Sequence, residues 1–354
     1  MSSTGVTLSG SYTGETGTVS ETGFYYGTTS GSLGSKVSAG GVSSSFSKKL
    51  TGLATNTIYY YKAYVVEDGI EVLGTERQVT IPTHWLEVPA VSGTEDFVGK
   101  FYGSGSTAGT NRNYSYYYNY TYYASMWVAY PLCSTHKSGT PPSGSWSYNP
   151  DISSSSPNRQ VKVTGNSYPT MYNADAYARG HQCPNASRKS DSQMNAQTYY
   201  VTNQTPQLQN KFNASVWSSL ETAVRDLTTS ATDTVYVVTG PAYRKAGGSE
   251  AINYLTGAAG KSANPASLPI PNYYWKAILK VKRNGNGIIT DAKAIGFWFN
   301  HREYTSSEHY DDSSNIVSVD QIESWTGFNL FANLPSGLQT TAEANTSWSS
   351  FQSF

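Results

Sequence analysis

The sequence predicts an α+β protein with an all-β module in front of it. Three observations lead there. Short alternating strand patterns broken by Gly, Ser and Thr fill the first 82 residues, strand-like runs recur through the rest, and two helical patterns stand among them. The chain has 354 residues, with 29 Tyr and 32 Gly against 4 Met, a mix that suits strands and turns better than long helices. At this length two domains are the default expectation.

In residues 1–82, Val6 and Leu8, then Phe24 and Tyr26, then Ile58, Tyr60, Lys62, Tyr64 and Val66 alternate with their neighbours, and glycines punctuate the runs. The stretch from Leu53 through Thr57 to Tyr59 resembles the tyrosine-corner region of fibronectin type III domains, with Tyr59 as the corner residue. A tyrosine packing inside any β-sandwich is the plainer reading of the same residues. Residues 83–95, with His84, Pro89 and Gly93, read as a linker. From 96 to 354 the strand-like runs are Ser115–Tyr123, Met126–Tyr130, Tyr199–Thr202, Val235–Thr239, Tyr274–Lys282 and Ala292–Phe299. Val216, Leu220, Val224 and Leu227 recur at helical spacing and predict a helix over 212–227. Ser318-Val319-Asp320-Gln321 reads as a helix start and Gly327 as its stop.

Lys and Arg total 24 against 24 Asp and Glu, which excludes a polybasic binder acting through bulk charge. Charged residues make up 14 %, so Ser, Thr, Asn and Tyr must wet the surface, a composition that points to an extracytoplasmic setting, secreted or surface-attached. Met1-Ser2-Ser3-Thr4-Gly5 has neither a basic nor an apolar stretch, so no signal segment is expected in this chain, and no apolar run reaches the roughly 20 residues of a membrane span. The two cysteines, Cys133 and Cys183, could form one disulfide or remain buried thiols.

The chemistry gathers between residues 177 and 225. Arg179 and His181 are two apart and share a side if the chain is extended, pairing a proton acceptor with a fixed cation. On one regular helix Glu221 and Arg225 would lie about 80° and about 120° round from Asn213. An Asn amide oxygen with a Glu that takes a cation's waters makes an oxygen-rich, hydrated site, which suits Mg²⁺. Basic residues (Arg159, Lys162, Arg179, Arg188, Lys189, Lys211 and Arg225) outnumber acidic ones between 155 and 230, so a small cationic cleft is expected.

These residues resemble the non-specific DNA/RNA endonuclease family with the ββα-metal finger, which includes endonuclease G. Arg179-Gly180-His181 stands for the end of its Asp-Arg-Gly-His, Asn203-Gln204-Thr205-Pro206-Gln207 for its Asn-x-x-Pro-Gln segment, and Asn213 through Trp217 to Glu221 for its Asn-x-x-x-Trp-x-x-Leu-Glu. Trp127 to Leu132, Thr239-Gly240-Pro241 and Pro271 to Lys276 continue the match over about residues 100–350. The resemblance implies a sugar-non-specific endonuclease giving 5′-phosphate ends. His181 is the implied general base and Asn213 the protein ligand of one Mg²⁺, for which Mn²⁺ or Ca²⁺ could substitute. Glu221 acts on the ion through water, Arg179 and Arg225 contact phosphate, and Asn203 is the supporting Asn. The implied partners are the phosphate backbones of DNA and RNA and a second copy in a homodimer, with a surface or protein partner for the N-terminal module. The family's Asp is Ala178 here, with Asp175 nearby, and an upstream Arg carried by some members has no match near Gly144–Trp146. Ala178 favours the alternative, a non-catalytic binding or adhesion protein with a degenerate nuclease domain. The intact His181, Asn213 and Glu221 favour the enzyme. His84, His136, His301 and His309 read as structural, and Tyr116 to Tyr123 as an alternating strand rather than a surface for bases.

Overall fold

Alternation in the first 82 residues becomes seven strands: β1 (Val6–Ser11), β2 (Val19–Gly27), β3 (Ser35–Ser38), β4 (Ser45–Leu50), β5 (Thr57–Glu67), β6 (Ile70–Leu73) and β7 (Arg77–Ile81). The structure is a computed structural model, and it describes residues 6–50, 53, 57–81, 85–104, 112–140, 144–152, 160–161, 177–229, 233–256, 267–284 and 289–354. Strands β1 and β4 form one sheet; β3, β2, β5 and β6 form another, in which β7 also pairs with β5, all antiparallel. Leu8, Phe46 and Leu50 of the first sheet pack on Phe24 and, less buried, Tyr61 and Ala63 of the second, with the Phe24 and Phe46 rings 5.3 Å apart. Tyr59 lies in this interior, 6.4 Å from the Tyr26 ring. Residues 54–56, over which a tyrosine corner would close, lie outside the described residues.

The chain divides into two units, and the second begins at Leu86. The expected linker, in its described part, therefore belongs largely to that unit. Leu86 is buried in its core, Ala90 donates to the Asn329 carbonyl and Asn333 to that of Val88. Apolar Leu86 and Val88 find a face to cover there, which Pro89 and Gly93 in the sequence had masked.

Eleven further strands follow: β8 (Phe97–Tyr102), β9 (Arg112–Asn119), β10 (Ala124–Cys133), β11 (Tyr177–His181), β12 (Gln204–Leu208), β13 (Thr234–Ala242), β14 (Tyr254–Thr256), β15 (Ser267–Pro269), β16 (Tyr273–Arg283), β17 (Ile289–Asn300) and β18 (Ile316–Val317). Helices are α1 (Ser134–Lys137), α2 (Ser192–Thr198), α3 (Ser218–Asp226), α4 (Val319–Thr326), α5 (Ser336–Glu343) and α6 (Trp348–Gln352). Seven strands make one antiparallel sheet in the order β18-β17-β16-β13-β10-β9-β8. Period-2 alternation sends Tyr114, Tyr116, Tyr118, Val128 and Tyr130 to one face, under Phe212, Val216, Trp217, Leu220 and Val224. Trp127, Ala129, Val238 and Trp275 go to the other, under Val319, Ile322, Phe331 and Leu334. Both faces being covered, the central strands read as nearly continuous apolar runs. Tyr116 and Tyr118 are 0 % exposed and offer nothing to a base.

Two sequence expectations change. Tyr199–Thr202 is not a strand: Tyr199 closes α2, and Val201–Asn203 is a 3-10 turn. The helix over 212–227 is broken. Gln209–Trp217 winds in wide i→i+5 turns, Ala214 and Ser215 leave helical geometry (φ −128°, ψ −115° at Ser215), and α3 then starts at Ser218. Asn213 and Glu221 therefore do not share one regular helix, and the 80° offset does not apply. Wide turns inside helices concentrate at functional sites, because they re-aim a side chain without ending the helix. The second expected helix is α4, with Ser318 Oγ accepting from the Gln321 N–H and Gly327 closing it at φ +76°.

Candidate active site

Strands β11 and β12 pair antiparallel, with His181 opposite Gln204 and Arg179 opposite Pro206, and β12 runs directly into the wide-turned segment that carries Asn213. The unit is thus two strands and a broken helix. Gly180 is a geometric need: a Cβ there would fall 2.2 Å from the buried Gln207 side chain lying across it.

His181 ends β11 between two rings, Trp146 at 4.7 Å and Tyr199, edge-on, at 5.0 Å. Its Nε2 is out of contact with solvent and has no hydrogen-bond partner. Burial pushes its pKa down to about 4, so the ring is neutral at pH 7 and able to take a proton. The guanidinium of Arg179 lies 6.0 Å from the same Trp146 ring, which places the two expected residues on one side of the strand. Gln207 likewise holds both polar atoms of its amide buried and unpartnered.

Asn203 has no exposed surface and staples the loop after the histidine. Its Nδ2 donates to the Cys183 and Thr198 carbonyls, its Oδ1 accepts from the Cys183 N–H, and its own carbonyl accepts from the Gln182 N–H. Every polar atom of its amide is used on backbone, so it positions His181 and is not available to substrate. A second staple escaped the sequence reading beyond its general assignment as structural. His301 accepts from the Leu208 N–H at Nε2 (2.9 Å) and contacts the Pro271 carbonyl at Nδ1 (2.8 Å). Its ring touches Tyr177 at the start of β11 and Phe212 beside Asn213. It therefore ties both strands of the unit to the helix, a function only long-range contact reveals.

On the helix side, Asn213 donates through Nδ2 to Gln209 Oε1 at 3.1 Å, and its Oδ1 is an acceptor that could hold a cation. Its backbone carbonyl accepts from the Ser218 N–H across the break, so it is not the cap of α3. Burial raises the pKa of Glu221, while the Lys276 and then the Arg225 cations and the Trp217 indole act against the rise. Lys276 is itself 0 % exposed, 4.6 Å from the Trp217 ring and bonded to Thr239 Oγ1, with burial lowering its pKa to about 8. Arg225 donates through Nη2 to Thr222 and holds Nη1 buried without a partner. Cys183, two residues beyond His181, packs in the same buried cluster as Trp217 and Leu220, which joins the helix side to the histidine loop. A neutral amide oxygen and a buried carboxylate fit a hard divalent ion that keeps much of its water.

Other expectations fall away. Both cysteines are free thiols: Cys183 is fully buried, and Cys133 Sγ faces Thr135 and His136. Arg188, counted towards a cationic cleft, is 0 % exposed, with its guanidinium spent on Asn113 Oδ1 and the Asn113, Ser187 and Pro131 carbonyls. Lys211 pairs with Glu303 at 2.6 Å. Arg159, Lys162 and Asp175 lie outside the described residues.

A separate trio, Asp320, Glu323 and Glu343, brings its carboxylate oxygens within 4.8 Å of one another on α4 and α5, across the sheet from His181. Burial raises Glu323 to about 7 and Glu343 to about 8, so this cluster holds protons near neutrality. Both folded values lie above the unfolded one, so folding takes up protons and stability declines as pH rises from about 4.5 through 8. Glu343→Gln is expected to raise the thermal midpoint by several degrees at pH 9 and to change little at pH 5; an equal shift at both values would refute the shared-proton account.

The family described as DNA/RNA non-specific endonuclease matches residues 93–337. The chain belongs to that family. It is 28 % identical over 237 residues to a nuclease of Nostoc sp., covering 65 % of this chain and 75 % of that protein. It is 29 % identical over 168 residues to the mitochondrial nuclease of Saccharomyces cerevisiae, covering 46 % and 49 %, and so spans about half of that relative's length. The mitochondrial nuclease EXOG of Danio rerio is 28 % identical over 249 residues, covering 70 % and 61 %. A chain in the crystal structure of the EndoG/EndoGI complex aligns with a TM-score of 0.48 and 20 % identity over 64 % of this chain and 86 % of that one. Among the described residues, no helix of this endonuclease-family chain is long and apolar enough to cross a membrane.

Proposed function

We propose that this chain is a metal-dependent endonuclease hydrolysing phosphodiester bonds of DNA and RNA, with His181 as general base and 5′-phosphate products. The observation that carries this reading is the neutral, buried His181 Nε2 with no partner, beside Arg179 and stapled from below by Asn203. The neutral His181 ring takes the proton of a water as its oxygen bonds to phosphorus; the bond to the 3′ oxygen breaks, and that oxygen leaves as a hydroxyl with a proton from solvent. A general base supplies about 10²–10⁴-fold, roughly 3–5 kcal/mol of a barrier reduction on the order of 20 kcal/mol. Charge stabilisation must provide most of the remainder. Arg179 and Arg225 supply fixed cations for the phosphate oxygens. Asn213 Oδ1 and, through water, Glu221 would hold one Mg²⁺, which polarises a phosphoryl oxygen and offsets developing charge. None of these groups reads a base edge or a 2′-hydroxyl, so both polymers are accepted.

We further propose that the N-terminal unit is a fibronectin type III-like module that spaces the enzyme from a surface or binds a partner, in an extracytoplasmic setting suited to so little surface charge. Mass spectrometry of products from a 12-mer DNA and its RNA counterpart tests the chemistry. Fragments of both ending in 5′-phosphate and 3′-hydroxyl are expected; 3′-phosphates, or cleavage of one polymer alone, would contradict it.

A further inference from the structure

We propose that Trp146 is a specificity-determining residue that stacks on the base beside the scissile phosphate, so that this site takes single-stranded nucleic acid in preference to an intact duplex. The proposal rests on the reading of His181 and Arg179 as the phosphate-facing groups. Trp146 is half-buried, 4.7 Å from the His181 ring, 5.4 Å edge-on from Tyr199, and 6.0 Å from the Arg179 guanidinium. It is an aromatic surface that contacts both His181 and Arg179, so a nucleoside attached to the phosphate they face lies within its reach.

The ring is held there by design of the backbone. Ser147 forms a parallel bridge with Tyr200, its N–H donating to the Tyr199 carbonyl and its carbonyl accepting from the Val201 N–H. Asn149, 1 % exposed, ties the other end of the strip to the Tyr116 hydroxyl and to Gln160. At Gly144 a Cβ would fall 2.1 Å from the Tyr199 ring, so the strip lies flat on that ring and can carry no side chain there. Tyr148, two residues along the strip from Trp146, is 45 % exposed and extends the aromatic surface away from His181.

Stacking explains preference without sequence reading. Every base has a π face, so an aromatic platform accepts any of them. Bases in a duplex are already stacked and paired, and using the platform means taking one out; in a single strand that cost is small. The other role open to Trp146 is to cover His181 and keep water from it, which would slow both substrates alike.

The test uses the full chain, with fluorescein-labelled single-stranded and duplex DNA 12-mers bound in EDTA and cleaved in Mg²⁺, for the parent, Trp146→Phe and Trp146→Leu, each with a thermal melt. Trp146→Leu is expected to weaken single-strand binding by about five- to a hundredfold and raise KM to match, with duplex binding within about twofold and Phe retaining most of the affinity. Equal loss of turnover on both substrates with unchanged single-strand affinity would overturn the proposal and leave Trp146 a positioning residue for His181. If the parent binds single strands but cleaves neither substrate in Mg²⁺, the nuclease reading fails while the binding arm still decides the stacking.

Discussion

Replacing His181 by alanine is expected to lower turnover on DNA and RNA by about 10²–10⁴-fold, the usual worth of a positioned general base. KM should change far less, because the cations and the aromatic strip that bind substrate remain. The pH behaviour is specific to this environment. Burial holds the free enzyme's His181 near 4, so kcat/KM should keep its plateau below pH 6 and fall only as pH approaches that value. An acid limb centred at 6.5, the ordinary histidine value, would show that the ring is not desolvated as described. Stability carries the same sign. A histidine whose folded pKa is depressed contributes stability that is present above about 6.5 and lost as pH falls towards 4. His136 (about 3) and His301 (about 4) add to that loss, both depressed chiefly by burial. His181→Ala should therefore lose less of its thermal midpoint than the parent between pH 7 and pH 5. Thermal melts at the two values measure this.

Asn213→Ala is expected to raise the Mg²⁺ concentration for half-maximal rate by at least about tenfold to a hundredfold, the cost already seen when groups behind a metal ligand are removed. Asn213 is not the cap of α3, and among the described residues its side chain bonds to Gln209 alone, so truncation removes little structure. The parent and variant should have thermal midpoints within a few degrees without metal. With Mn²⁺ as a paramagnetic probe, the parent should bind one ion per chain and the variant should bind it correspondingly more weakly. An unchanged metal requirement would move the ion elsewhere. Glu221→Gln should show a smaller rise if, as proposed, Glu221 reaches the ion through water, and burial already disfavours its charge.

How far these residues could be read beforehand depends on whether their function is local. Arg179, Gly180 and His181 are close in sequence and in space, so an extended strand delivers them together. The strands β10, β13, β16 and β17 were legible because each is an unbroken apolar or alternating run, and α4 because Ser318 and Gly327 punctuate it. The break at Ala214–Ser215 was not, since the apolar spacing of Val216, Leu220 and Val224 continues through it and signals one helix. Arg188 was misjudged, and the partners of Asn203 and His301 were not foreseen, for one reason. Each is a polar residue whose partners are backbone groups brought together only by the folded chain. Trp146 belongs with them: nothing in Gly144-Ser145-Trp146 announces that its ring lies against a histidine 35 positions on. The order of the seven strands is likewise non-local, because β13 sits between β10 and β16 through pairings that no single segment encodes.

The central claim is that His181 and a divalent ion at Asn213 together hydrolyse both kinds of nucleic acid. The most direct measurement is degradation of plasmid DNA and of a long RNA by the full chain in Mg²⁺, in EDTA, and by the His181→Ala protein. The account predicts that both polymers are cut in Mg²⁺ and that EDTA and the substitution each slow cleavage by about a hundredfold or more. A folded protein that cuts neither polymer with any divalent metal, or one whose cleavage is indifferent to His181, would contradict it and favour a binding protein built on a nuclease fold.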